Sequence, residues 1–163
     1  VGYNYYGAQI HRSYAKGDVE CKGAYCGGLV GYNDGQNNSN TLISFSYATG
    51  NVTCAGNEVG GLTSTNYEHA QIKDSYATGT VNGKDFVGGL VGRNEVYADI
   101  ERSYSTGNVK AFTYTGGLVG YCASDSSNIS FIVQFLISIK LEISVSIFKF
   151  LKNDFLLCIF ILG

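Results

Sequence analysis

Four times the phrase Ser-Tyr-(Ala/Ser)-(Lys/Thr)-Gly comes round, at residues 13–17, 46–50, 75–79 and 103–107. Each copy is followed 13 or 14 residues later by Gly-Gly-Leu, starting at Gly27, Gly60, Gly88 and Gly116, so the period is 33 residues once and 28 twice. A unit of that size cannot bury an apolar face alone, and copies must stack so that each covers the next. Function in such a chain belongs to a repeated surface rather than to a single pocket.

Aligned copies give the template Ile-x-x-Ser-Tyr-Ala-Thr-Gly-x-Val, a short variable stretch, then Val-Gly-Gly-Leu-Val-Gly-x-Asn. The apolar columns are Ile10, Ile43, Ile72, Ile100 and Ile129; Val19, Val52, Val81 and Val109; and Leu29, Leu62, Leu90 and Leu118. Short runs rich in β-branched residues and punctuated by Gly read as strands, and nothing before residue 129 sustains a 3.6-residue period. The expectation is an all-β, stacked-repeat parallel β-solenoid of about four units. Its alternative is a β-prism or propeller-like repeat, with equivalent residues related by rotation. In a solenoid with strands about 4.8 Å apart, identical columns become ladders, and Asn4, Asn33, Asn66 and Asn94 line up. Cys122 takes the Asn position in the fourth full copy, so the ladder ends there.

Gly17, Gly50, Gly79 and Gly107 follow strand-like segments, as a turn needing positive φ or a close approach between coils requires. The paired glycines before each Leu suggest a bulge or corner. No Lys-Ser/Thr follows them and no helix opens after them, which removes the phosphate-loop reading. Between Asn33 and Ile43 the second unit carries four more residues than the others, and an insertion of this kind belongs to a protruding loop.

At Gly28-Leu29-Val30-Gly31, Gly89-Leu90-Val91-Gly92 and Gly117-Leu118-Val119-Gly120 the array resembles the GLUG motif. That short repeat is found in bacterial surface proteins, adhesin-like proteins and the non-catalytic part of IgA-specific metallopeptidases. The likeness covers roughly residues 1–128. Gly61-Leu62-Thr63-Ser64 lacks the second Gly, so a different turn is expected there. The resemblance implies a β-rich stacked fold in an extracellular or cell-surface setting, and it brings no catalytic residues.

Val1-Gly2-Tyr3-Asn4 matches Val30-Gly31-Tyr32-Asn33 in mid-unit, and the 163 residues contain no Met, so the chain reads as a piece of a longer array. A formal charge of −2 with scattered Lys and Arg argues against nucleic acid, which wants a basic stripe. Residues 129–163 form a separate hydrophobic tail, either a cap on the last coil or a frame-shifted end. Residues 135–147 alternate like a half-buried strand, and Lys140, Glu142, Lys149, Lys152 and Asp154 interrupt every window long enough for a membrane helix. Membrane association is therefore expected only through the tail, if at all.

The five cysteines include no Cys-x-x-Cys pair, which speaks against zinc. Cys21 and Cys54 both fall two residues after the column Val, so stacking brings them within disulfide reach. Cys26 competes for Cys21 across a short turn, and isolated buried thiols remain a third reading. His11 and His69 belong to no His-Glu-x-x-His motif, and the column of His11 is otherwise Ser44, Lys73 and Glu101, a solvated pattern. Asp18 and Glu20 are not repeated in the other copies, and the Gly- and Asp-rich nonapeptides of calcium-binding rolls are missing. The chain is read as no enzyme, with no cofactor and no metal.

What remains is surface. Tyr3, Tyr32, Thr65, Arg93 and Tyr121 form a file that an apolar core would not choose. Tyr3, Tyr32, Arg93 and Tyr121 are the candidate binding stripe, for host glycans or surface proteins; the other reading is that they shield the edge of the coil. Tyr14, Tyr47, Tyr76 and Tyr104 share strand parity with the Ile column, which favours partial burial. The functional expectation is a stalk or adhesive surface. The rivals are a non-catalytic region of a secreted metallopeptidase and a spacer without ligand.

Overall fold

A computed structural model describes residues 1–123 and 129–130 of the chain. Each coil passes through five short strands, and equivalent strands of successive coils pair in parallel to form five sheets. The Ile sheet comprises Gln9–His11, Leu42–Ser44, Gln71–Lys73, Asp99–Glu101 and Ile129–Ser130. Round the next corner the Ser-Tyr sheet holds Tyr14–Ala15, Tyr47–Ala48, Tyr76–Ala77 and Tyr104–Ser105. The Val sheet follows with Val19–Cys21, Val52–Cys54, Val81–Asn82 and Val109–Lys110. The Gly sheet holds Cys26–Gly27, Val59–Gly60, Asp85–Gly88 and Thr113–Gly116. The Asn sheet closes the coil with Tyr3–Tyr5, Val30–Asp34, Thr63–Tyr67, Val91–Glu95 and Val119–Cys122. This is the expected parallel β-solenoid, with equivalent residues related by translation and not by the rotation of a prism or propeller.

The register is the one the alignment predicts. Ile72 pairs with Ile43 and Ile100, Ile10 joins Ile43, and Ile129 joins Ile100. The Leu column is held between coils by backbone bonds: Leu29 N–H donates to Leu62 O at 3.0 Å, and Leu62 and Leu90 donate to Leu90 O and Leu118 O at 2.9 Å each. Ile43, Leu62, Ile72, Leu90 and Ile100 are fully buried and form one core cluster with Leu29, Val30, Ala48, Ala77, Val91 and Leu118. A second, smaller cluster of Cys26, Val52, Cys54, Val59, Val81 and Val87 fills the corner between the Val and Gly sheets. Each such aliphatic side chain contributes roughly 1.5–3 kcal/mol of transfer free energy on leaving water.

Two polar ladders run through this interior. Asn4, Asn33 and Asn66 each donate Nδ2–H to Oδ1 of the next Asn, at 2.8, 2.7 and 2.8 Å. The same amides tie the bend after the strand, since Asn66 donates to Ala70 O at 3.2 Å and Asn94 to Ala98 O at 2.8 Å. The ladder ends where Asn94 faces Cys122. The serines of the Ser-Tyr phrase make the second ladder. Ser46 N–H donates to Ser75 Oγ and Ser75 N–H to Ser103 Oγ, both at 3.2 Å, while each hydroxyl donates to the carbonyl two residues before it. Buried polar groups persist only when paired, and here a side chain of fixed size pairs with its own copy one coil away.

Several expectations need correction. Of the two roles open to the glycines after each Ser-Tyr phrase, Gly50, Gly79 and Gly107 serve close approach and not positive φ, while a Cβ on Gly17, in the first coil, would meet nothing within 4 Å. A Cβ on Gly50 would lie 2.0 Å from Gly17 O, and one on Gly79 would lie 1.9 Å from Gly50 O. Left-handed backbone is carried instead by Arg12, Phe45, Asp74 and Arg102, at φ 47, 49, 49 and 45°. These residues form the corner between the Ile and Ser-Tyr sheets, and they interrupt strand parity. Tyr14, Tyr47, Tyr76 and Tyr104 therefore point outward although they share parity with the inward Ile column; the expected partial burial holds for Tyr47, Tyr76 and Tyr104, while Tyr14 is exposed. Gly61-Leu62-Thr63-Ser64 does not turn differently. Thr63 pairs with Val30 and Val91, and the Ser64 hydroxyl donates to Gly31 O.

The four-residue insertion forms a 3-10 turn at Gln36–Asn38, fully on the surface, with Asn37 and Asn38 left-handed. Among the described residues no helix is long and apolar enough to cross a membrane. The strand expected over residues 135–147 lies outside the described residues.

Candidate functional site

The predicted stripe is assembled by the Asn sheet. Tyr3 pairs with Tyr32, Tyr32 with Thr65, Thr65 with Arg93, and Arg93 with Tyr121, so the five residues form one file along the coil axis. It is a partly covered file. Tyr3 is exposed, Tyr32, Arg93 and Tyr121 are half-buried, and Thr65 is buried.

What covers it is a second file that the sequence reasoning did not single out. Tyr25, Glu58, Phe86 and Tyr114 each stand just before the Gly-sheet strand register of Cys26, Val59, Val87 and Thr115, and each has left-handed φ, at 61, 58, 54 and 48°. Left-handed backbone at non-Gly residues costs energy and persists only where packing holds it. Here the packing is visible. Tyr25 lies 5.7 Å from Tyr32, Arg93 sits over the rings of Phe86 and Tyr121 at 5.1 and 5.5 Å, and Tyr114 meets Tyr121 edge-on at 5.8 Å. The signal in the sequence was position alone, two residues before each Gly pair.

The charged centre of this face is Arg93. It bonds Glu58 at 2.9 Å and Glu95, while Thr65 donates its hydroxyl to the other Glu58 oxygen at 2.9 Å. Burial pulls the Arg93 guanidinium down, and its hydrogen bonds to Glu95 and Glu58 outweigh that, so it is held above its ordinary range. Toward the other end, Tyr3 donates to Asp34 Oδ2 at 3.2 Å. Burial raises the Asp34 carboxyl, the Tyr3 bond opposes this and Glu68 adds to it. Burial likewise raises the Tyr32 phenol, helped by Tyr3, Asp34 and Glu58.

Stacking along the axis consumes ring faces. Tyr3 and Tyr32 are parallel at 5.0 Å, Phe86 and Tyr114 at 4.7 Å. On the Ser-Tyr sheet the rings of Tyr14, Tyr47, Tyr76 and Tyr104 stack at 5.2, 4.9 and 5.0 Å. A sugar ring stacks on an aromatic face, and such rows offer mainly edges and hydroxyls. Beside them Arg102 forks onto Asp74 at 2.7 and 2.8 Å and holds its carboxyl below the usual range. His11 is exposed, with Nδ1 2.9 Å from Ser44 Oγ, and His69 stacks on Tyr97. Asp18 and Glu20 stay on the surface, where with Asn51, Thr53, Thr80 and Asn82 they line a shallow, open groove.

The cysteines depart from the expected bond. Cys21 and Cys54 are register partners, as predicted, yet the disulfide joins Cys21 to Cys26, with Cα atoms 6.5 Å apart. In-register neighbours project their side chains parallel to one another, whereas Cys26 faces Cys21 across the corner between the Val and Gly sheets. Cys54 keeps a buried thiol that donates to Gly23 O at 2.9 Å. Among the described residues the sulfurs of Cys21, Cys26 and Cys54 form a cluster within 4.8 Å of one another.

The fold and its ladders define a repeat solenoid. The family model described as the GLUG motif matches residues 55–82 and 87–110, so these two coils are GLUG repeats. No curated protein and no solved structure matches the chain.

Proposed function

We propose that this chain is the rod-like part of an extracellular or cell-surface protein, acting as a stalk whose outer faces serve adhesion. One observation carries the reading: the Ile, Val and Leu columns of the repeat each form a ladder from coil to coil around a filled interior. Such a stack is stiff along its axis and offers the same side chains coil after coil. Partners meet hydroxyl edges and paired charges, which favours recognition by hydrogen bonding at the Tyr14, Tyr47, Tyr76 and Tyr104 row and along the exposed end of the stripe at Tyr3. Glycans and surface proteins are the partner classes that suit such a face.

An antibody raised against residues 1–123 tests the setting. It should label intact cells of the source; labelling only after permeabilisation would overturn the reading. A glycan and protein array probed with the whole chain tests adhesion, and binding should fall when Tyr47 and Tyr76 are both replaced by Ala.

A further inference from the structure

Three sulfurs within 4.8 Å, two in a disulfide and one a thiol, are more than packing requires. We propose that Cys21, Cys26 and Cys54 form a thiol–disulfide exchange site in which Cys21 changes partner, converting a bond within the first coil into a staple between the first and second coils.

Cys21 can serve both partners without large backbone movement. Its Cα lies 6.5 Å from that of Cys26, and it is the ladder partner of Cys54, one strand spacing of about 4.8 Å away. Both separations fall in the usual disulfide range of roughly 4.4–6.8 Å. Cys21 is half-buried at the end of its strand, while Cys26 and Cys54 are buried among Val52, Val59, Val81 and Val87. Solvent therefore reaches the cluster from the Cys21 side.

The step is balanced within the chain. Cys54 loses its proton to water and its thiolate attacks the Cys21 sulfur. The Cys21–Cys54 bond forms as the Cys21–Cys26 bond breaks, and the electron pair leaves on Cys26, which takes up a proton. No external oxidant or reductant is consumed. Facing geometry favours Cys26, and the ladder spacing keeps Cys54 within the same reach, so the exchange runs in both directions. Its Cys21–Cys54 product ties together two coils that are otherwise joined by hydrogen bonds and packing.

The test is disulfide mapping of the whole, unreduced chain. Cleavage after Lys22 and before Asp34 separates the three cysteines onto different peptides. After incubation at pH 6, 7 and 8, acid quenching and alkylation, both Cys21–Cys26 and Cys21–Cys54 links should be recovered. The approach to their final ratio should quicken roughly tenfold per pH unit, because the thiolate is the attacking species. Cys26→Ser should form the Cys21–Cys54 link under oxidised glutathione, and Cys54→Ser should hold Cys21–Cys26 without exchange. Recovery of Cys21–Cys26 alone from the wild-type chain at every pH, or failure of folded Cys26→Ser to close Cys21–Cys54, overturns the proposal. The wild-type time course stands as its own test if a variant does not fold.

Discussion

Replacing Asn66 by Ala removes the middle of the Asn ladder. Its amide donates to Asn94 Oδ1 at 2.8 Å and to Ala70 O and Asp99 O at 3.2 Å each, and its Oδ1 accepts from Asn33 at 2.7 Å. The residue is fully buried, so no solvent replaces these bonds. A net hydrogen bond is worth about 1 kcal/mol, and a stranded buried partner costs about 1–3 kcal/mol, so a loss of roughly 3–5 kcal/mol is expected. Asn4→Ala is the internal control. Asn4 sits on the first strand of the stack and donates only to Asn33 Oδ1 and, at 3.3 Å, to Ala8 O, so it should cost about 1–2 kcal/mol. Urea unfolding followed by far-ultraviolet circular dichroism gives both values, provided the slope m is unchanged. Equal costs at the two positions, or less than about 1 kcal/mol for Asn66→Ala, would refute the ladder as a source of stability.

Gly50→Ala should destabilise strongly, because its Cβ would meet Gly17 O at 2.0 Å, whereas Gly17→Ala in the same column meets nothing within 4 Å and should be near neutral; melting temperatures compare them. Asp34→Asn should stabilise the chain at pH 7 and have no effect at pH 3. The folded carboxyl is raised by burial, so its favourable contribution is present when protonated and is lost as pH rises through the raised value. Thermal melts of both proteins across that pH range check the sign, and a gain that grows on acidification would contradict it. Limited proteolysis should nick Gln36–Asn38 first, and earlier cutting within Val87–Gly92 would show that the insertion has been misplaced.

The fold was legible because identical residues at fixed spacing can share a core only by stacking, and Ile, Leu and Asn each announced a ladder. The Ser ladder was equally present in the sequence and was missed, since Ser in a Ser-Tyr phrase looks like a turn residue until its hydroxyl is seen bridging coils. Partial burial of the Tyr column holds for Tyr47, Tyr76 and Tyr104 and fails for Tyr14. The parity argument behind it was unsound, because a left-handed corner at Arg12, Phe45, Asp74 and Arg102 resets parity and residues so varied in type give no hint of a shared φ. The stripe of Tyr3, Tyr32, Arg93 and Tyr121 was found, but not its cover of Tyr25, Glu58, Phe86 and Tyr114, which also takes left-handed φ without glycine. The register of Cys21 and Cys54 was readable from spacing. Their bonding was not, because it turns on the direction of side chains round a corner.

The central claim is translation: each coil bonds to its own copy one period on. Nuclear magnetic resonance couplings across hydrogen bonds test it directly on the labelled chain. The account predicts couplings from the Val19 amide to the Asn51 carbonyl, from Val52 to Thr80 and from Val81 to Asn108, where donor and acceptor are 2.8, 2.9 and 2.8 Å apart. Couplings confined to neighbouring strands within one repeat, as antiparallel pairing in a prism or propeller would give, would contradict it.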